Sequence, residues 1–201
     1  MKRATLILPD AGPINSLWVA DALSLFLALD MPIVVVDAVY DEVTSDPTYR
    51  KDRDVKDFLD THQPPFHIAT TDIGQQEREK RQAGRPLKKN AGELAIVDFL
   101  SSENGLRHFL QSGDPVILLF EDADVRVINK PPHLHLLSTV GLLRGLERVG
   151  IVRQADLIIH AMTHPTAPGR RQADARIFTD LPEGIDEPAR IGSTWEPSAP
   201  Q

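Results

Sequence analysis

Short, unbroken apolar runs punctuate the chain at residues 5–9, 33–36 and 116–120, and each is followed at once or within a few residues by acidic side chains. The runs are too short for buried helices and rich in Val, Ile and Leu, so they predict strands covered on both faces. Residues 66–70 and 134–137 are weaker candidates of the same kind. Longer stretches between them have helical spacing. Residues 15–30, with Leu17, Trp18, Leu23, Phe26 and Leu29, predict a mostly buried helix. Shorter helices are predicted around 38–43, 54–60, 91–100 and 139–149, the last closed by Gly150. Strands alternating with helices imply an α/β fold: a mainly parallel central sheet in a three-layer α/β/α arrangement. Residues 1–152 make up this domain. From about His164 prolines recur and apolar periodicity is lost, so 153–201 are expected to be a Pro-rich extension, partly extended or disordered.

Composition narrows this only a little. A chain of 201 residues, 41% hydrophobic and 25% charged, has the size and balance of one globular domain. No apolar stretch approaches bilayer length, and the first one stops at Pro9, too soon for a signal peptide, so a cytoplasmic protein is expected. With no cysteine there are no disulfides, thiolate metal sites or cysteine nucleophile. The net charge of −7 argues against non-specific coating of nucleic acid. It does not argue against a nuclease, whose clustered carboxylates add negative charge that bound cations then invert.

Four acidic positions recur at comparable points of the pattern. Asp10 ends the first strand, Glu42 lies in the short helix after the second, Glu93 opens the helix at 91–100, and Asp122 follows the strand at 116–120 with Glu121 and Asp124 beside it. In a parallel sheet, strand ends and the first turns after them converge on one edge. Converging carboxylates repel unless cations sit among them, and hard oxygen donors suit Mg²⁺ or Mn²⁺. Such ions activate water and stabilise charge on phosphate oxygens. Each residue also has an ordinary reading. Asp10, Asp122 and Asp124 are placed to cap helices, Glu93 suits a helix dipole, and Glu42 suits a solvated helix face. A basic stretch at 77–89, containing Arg78, Arg85, Lys88 and Lys89, is either a substrate-binding segment or a solvated charged face. His133 and His135 alternate as strand residues without a third zinc ligand. No glycine-rich phosphate loop is present.

Taken in order, several segments resemble the PIN domain, as found in VapC-type toxins of bacterial toxin–antitoxin pairs. Residues 10–17, Asp-Ala-Gly-Pro-Ile-Asn-Ser-Leu, are similar to the family's opening Asp-x-Gly-Pro motif. Residues 33–43 resemble its second strand and the helix bearing a metal-site Glu. Residues 91–96, Ala-Gly-Glu-Leu-Ala-Ile, resemble its Gly-Glu-x-x-Ala-Ile helix, and 118–126 its Leu-Leu-x-Asp-Asp segment ending in Arg. Residues 138–143 and 150–152 resemble its closing segments, so the likeness spans 5–152. It implies a PIN-like fold and a Mg²⁺- or Mn²⁺-dependent endoribonuclease acting on single-stranded RNA. Its catalytic and metal-binding acids are Asp10, Glu42, Glu93 and Asp122, with Asp124 or Glu121 in reserve. It further implies a cognate antitoxin; the helix at 15–30, apolar nearly all round, suggests a second buried surface and hence a homodimer. Pro9 before the first Asp, Glu121 in place of Asp, Ser138 in place of Gly, and the long extension depart from the pattern without removing a metal-site carboxylate. The alternatives are a non-catalytic RNA- or protein-binding module and a DNA nuclease. Receiver domains and haloacid-dehalogenase-like phosphatases are disfavoured, because Asp10 stands without a second acid close by.

Overall fold

The computed structural model describes residues 6–86, 88–102, 109, 114–121 and 134–175. Its elements are β1 (Leu6–Pro9), α1 (Ala11–Val19), a 3₁₀ segment (Leu23–Leu29), β2 (Ile33–Val36), α2 (Asp37–Val43), α3 (Arg50–Thr61), β3 (Phe66–Ala69), α4 (Asp72–Gln82), α5 (Ala91–Ser101), β4 (Val116–Phe120), β5 (Leu134–Ser138), α6 (Thr139–Arg148) and α7 (Ala155–Thr163). The strands form one five-stranded, wholly parallel sheet in the order β3-β2-β1-β4-β5. Helices flank it, as a three-layer α/β/α fold requires.

The apolar runs became strands because they are buried on both faces. Ile33, Val34, Val35, Ile117 and Leu118 are wholly inaccessible. The register pairs Leu8 with Leu118 and Leu118 with Leu136, so the two central runs pack against each other along their length. β1 lies where the winding reverses: β2 and β3 extend to one side of it, β4 and β5 to the other. The crevice beyond the carboxyl ends of the strands at such a reversal is where open α/β sheets bind ligands.

The long helix expected over 15–30 is two elements. α1 starts earlier, at Ala11, since Pro13 sits in the first turn, where its missing N–H deprives the helix of nothing. It stops at Val19. Asp21 takes a left-handed conformation (φ 57°), its N–H donates to the Trp18 carbonyl at 3.0 Å, and the Ala22 N–H donates to that of Leu17 at 2.8 Å. This is the Schellman arrangement, formed here by an aspartate where glycine is usual. The apolar run continues as the 3₁₀ segment after a bend of 117°. Among the described residues no single helix is long and apolar enough to cross a membrane.

Within the segment after 152, helix α7 has no counterpart among the elements read from the sequence. Ala155 and Met162 are fully buried, and α7 packs on α1 and α6. Residues 164–175 then return across α1 and α3. The Arg170 guanidinium lies 3.9 Å from the centre of the Trp18 ring and donates to the Trp18 carbonyl (2.8 Å) and to Asp21 (3.1 Å). Tyr49 and Arg171 hold Asp174. Gly169 suits this path because its φ of 78° lies in the left-handed region that side chains rarely adopt.

Arg170→Ala removes the ring contact and both hydrogen bonds from a nearly buried side chain. It is expected to lower stability by about 2 kcal/mol, read as a lower urea midpoint with an unchanged slope. Equal midpoints for variant and parent would show that the strap contributes nothing.

Candidate functional site

Three strands deliver acids to the carboxyl edge: β1 delivers Asp10, β2 Asp37 and β4 Glu121. Asp10 occupies the N-cap position of α1 with extended backbone, yet its side chain makes no capping hydrogen bond. Its N–H continues the sheet pairing by donating to the Leu119 carbonyl at 2.9 Å. The carboxylate is nearly buried and turns instead toward α5. Asp10 Oδ1 and Glu42 Oε2 each lie 3.6 Å from the point a Cβ on Gly92 would occupy, so they are no further apart than twice that distance. The same point is 3.1 Å from a Val39 methyl. Gly92 therefore lets α5 seat closely against α2 and the end of β1. Glu93 comes next in the first turn of α5 and is partly exposed.

Glu121 is fixed by two buried hydroxyls. Ser16 of α1 donates to it at 2.8 Å and Thr139, at the start of α6, at 2.7 Å. This clamp joins the ends of β4 and β5 to α1. Ser138 caps α6 by accepting from the Gly141 N–H at 3.0 Å. Asp122 and Asp124 lie outside the described residues, as does His133. Among the described residues no three His, Asp or Glu side chains are gathered tightly enough to hold an ion by themselves. Asp10 and Glu42 supply two hard oxygen donors of the kind Mg²⁺ and Mn²⁺ select.

Asp37 has a different role. It is wholly buried, and one oxygen accepts from the Ala38 N–H, the Thr71 N–H and the Thr71 hydroxyl. The other lies 3.4 Å from the Arg78 guanidinium without a hydrogen bond. Arg78 donates two bonds to Asp41, at 2.6 and 3.1 Å, and Asp41 raises its pKa further. The Arg78 read as a candidate RNA contact is thus engaged in joining α4 to α2.

Beside this network lies a hollow of about 480 Å³, with Glu42, Ser45, Arg81, Lys88 and Lys89 in its wall. Arg85 is exposed in the turn after α4 and is not part of that wall. The turn is built by Gly84 at φ 63°, with the Arg85 N–H donating to the Lys80 carbonyl at 2.9 Å. Buried Glu77 anchors the chain beyond this turn: it accepts from the Lys80 ammonium and from the Lys88 N–H at 2.8 Å. These bonds hold its carboxyl below the ordinary glutamate range.

Ser16, Thr139, Asp37 and Glu77 do not stand out in the sequence. Hydroxyls and acids of this kind acquire meaning only when elements distant in the chain meet. No protein-family model matches the chain, and no curated protein matches it either.

Gly92→Ala forces Val39 aside by a few tenths of an ångström and shifts the Asp10–Glu42 approach. A loss of about 1–3 kcal/mol is expected from such overpacking; a variant as stable as the parent would mean that α5 is free to move. Glu77 sets a pH dependence. Its folded pKa is depressed, so its contribution to stability is complete above the unfolded value of about 4.3 and is lost as pH falls through the folded value. The stability gap between the parent and Glu77→Gln should therefore close as acid is added below that range. A gap constant across that range would contradict the assignment.

Proposed function

We propose that the chain is a Mg²⁺- or Mn²⁺-dependent endoribonuclease of the PIN type, hydrolysing phosphodiester bonds of single-stranded RNA, and the toxin of a toxin–antitoxin pair. The single observation that carries the reading is the behaviour of Asp10. A buried carboxylate at an N-cap position leaves the helix uncapped and gathers with Glu42 over Gly92. The nearly buried Asp10 and the exposed Glu42 beside it offer a divalent cation two hard carboxylate donors at the rim of the crevice. The ordered resemblance of residues 5–152 to the PIN family supports the same conclusion.

In this reading Asp10, Glu42, Glu93 and Asp122 hold the metal, with Asp124 beside them. The bound ion supplies Lewis acidity and charge neutralisation at phosphate oxygens. The chain's own groups do the positioning. Register places Asp10, Gly92 sets its distance from Glu42, and the Ser16 and Thr139 hydroxyls keep Glu121 aligned at the neighbouring strand end. A cognate antitoxin that masks the acids with Arg or Lys, and a homodimer, complete the proposal.

Asp10→Asn keeps the shape and removes one ligand charge. The fold should persist and RNA cleavage should fall by at least about a hundredfold, with Mn²⁺ binding weakened in calorimetry. Cleavage that survives EDTA, or an Asp10→Asn variant as active as the parent, would sink the mechanism. Light scattering at twice 22.3 kDa would support the dimer, and a monomer at high concentration would remove it.

A further inference from the structure

The cations of the 77–89 stretch fall into two sets. Arg78 is bound to Asp41 and Lys80 to Glu77. Among the described residues, Arg81, Lys88 and Lys89 form no ion pair, and all three side chains stand in the wall of the 480 Å³ hollow that Glu42 borders. Asp41, Glu42 and Glu77 share the wall with these three and with Arg78, so in a chain of net charge −7 the lining carries four cations against three acids, an excess against the sign of the whole molecule. Their placement is built. Glu77 pins the Lys88 backbone, and the Gly84 turn folds the segment back toward α2.

We propose that this hollow is a phosphate-backbone subsite, holding a single-stranded RNA beside the carboxylates through Arg81, Lys88 and Lys89 and without reading its bases. The proposal rests on the ribonuclease reading and deepens it. Its wall decides the ligand class. Among the described residues, Ala38 and Ala91 are the only apolar ones in the lining, so no large apolar or aromatic side chain contributes. A protein partner would find no recess for an apolar anchor, and a base would find no aromatic platform to stack on. A chain of phosphates needs neither, since its attraction to Lys and Arg is electrostatic and independent of sequence. Glu42 at the edge of the hollow makes the same strand pass from the cations to the acids.

Binding of a short labelled single-stranded RNA, measured in EDTA over a range of salt, tests this apart from catalysis. The triple variant Arg81→Gln, Lys88→Gln, Lys89→Gln should bind at least about tenfold more weakly at low salt, with a salt slope shallower by roughly two, at about 0.7 per phosphate contact. Lys56→Gln on α3, distant in sequence from the hollow, should leave the slope unchanged, and oligo-U and oligo-A should lose affinity alike. Circular dichroism confirms that each variant is folded. A triple variant with the parent's slope would overturn the subsite even if metal-dependent cleavage is intact. The expected slope change in a protein that never cleaves RNA would uphold the subsite and refute the nuclease. Binding of an oligo-glutamate peptide through the same three residues, with no binding of RNA, would overturn the proposal in favour of an acidic protein ligand.

Discussion

The parallel pairing of β1 between β2 and β4 is the constraint on which the candidate site depends. Parallel strands deliver their carboxyl ends to one edge, and the change of winding direction at β1 opens a crevice there. Leu6 pairs with Val116 and Ile7 with Ile117, and all four are wholly buried. Pro9 opposite Leu119 is the last pair, and the Asp10 N–H extends it by one bond. Backbone pairing, and not a capping bond of its own, thus brings the Asp10 carboxylate to the rim.

Asp10 and Asp37 show how surroundings divide equivalent positions. Each is a buried acid directly after a central strand. Three donors converge on one oxygen of Asp37, Arg78 lies beside the other, and Gly74 packs so close that any side chain there would strike the carboxylate. That is a structural charge, held as buried charges must be. Asp10 lies near a second acid, Glu42, over Gly92. The cations divide in the same way. Arg78 and Arg81, one turn apart on α4, both stand in the wall of the hollow, but Arg78 is tied to Asp41. One helix therefore both fastens α2 and lines the ground beside Glu42.

How much of this is legible in the sequence depends on the range of the interactions involved. β2 and β4 can be read to the residue because burial on both faces leaves an uninterrupted apolar run. The break after Val19 cannot, because Asp21 makes a left-handed turn that glycine normally advertises. Asp10, Glu42 and Glu93 stand out from their places after strands and in early helical turns. The clamp on Glu121 does not, since Ser16 lies 105 positions from its partner and nothing local marks it. The basic stretch is visible as charge, but its division into paired and unpaired cations depends on α2 and α4 lying side by side.

The return of the chain after α7 changes what the apolar surplus of α1 means. From the pattern alone, a helix apolar on nearly every side suggests a second surface, and hence a second subunit. In the folded chain that surface is already covered: α7 packs on α1, and Arg170, 152 positions away, closes over Trp18. Guanidinium on indole combines an apolar contact with charge that Asp21 and Asp54 balance. The large apolar side chains left outside include Ile151 and Leu157, at the corner of α6 and α7. The physical argument for a second subunit therefore moves from α1 to that corner. It also separates association from chemistry, because neither residue belongs to the edge where Asp10 and Glu42 meet.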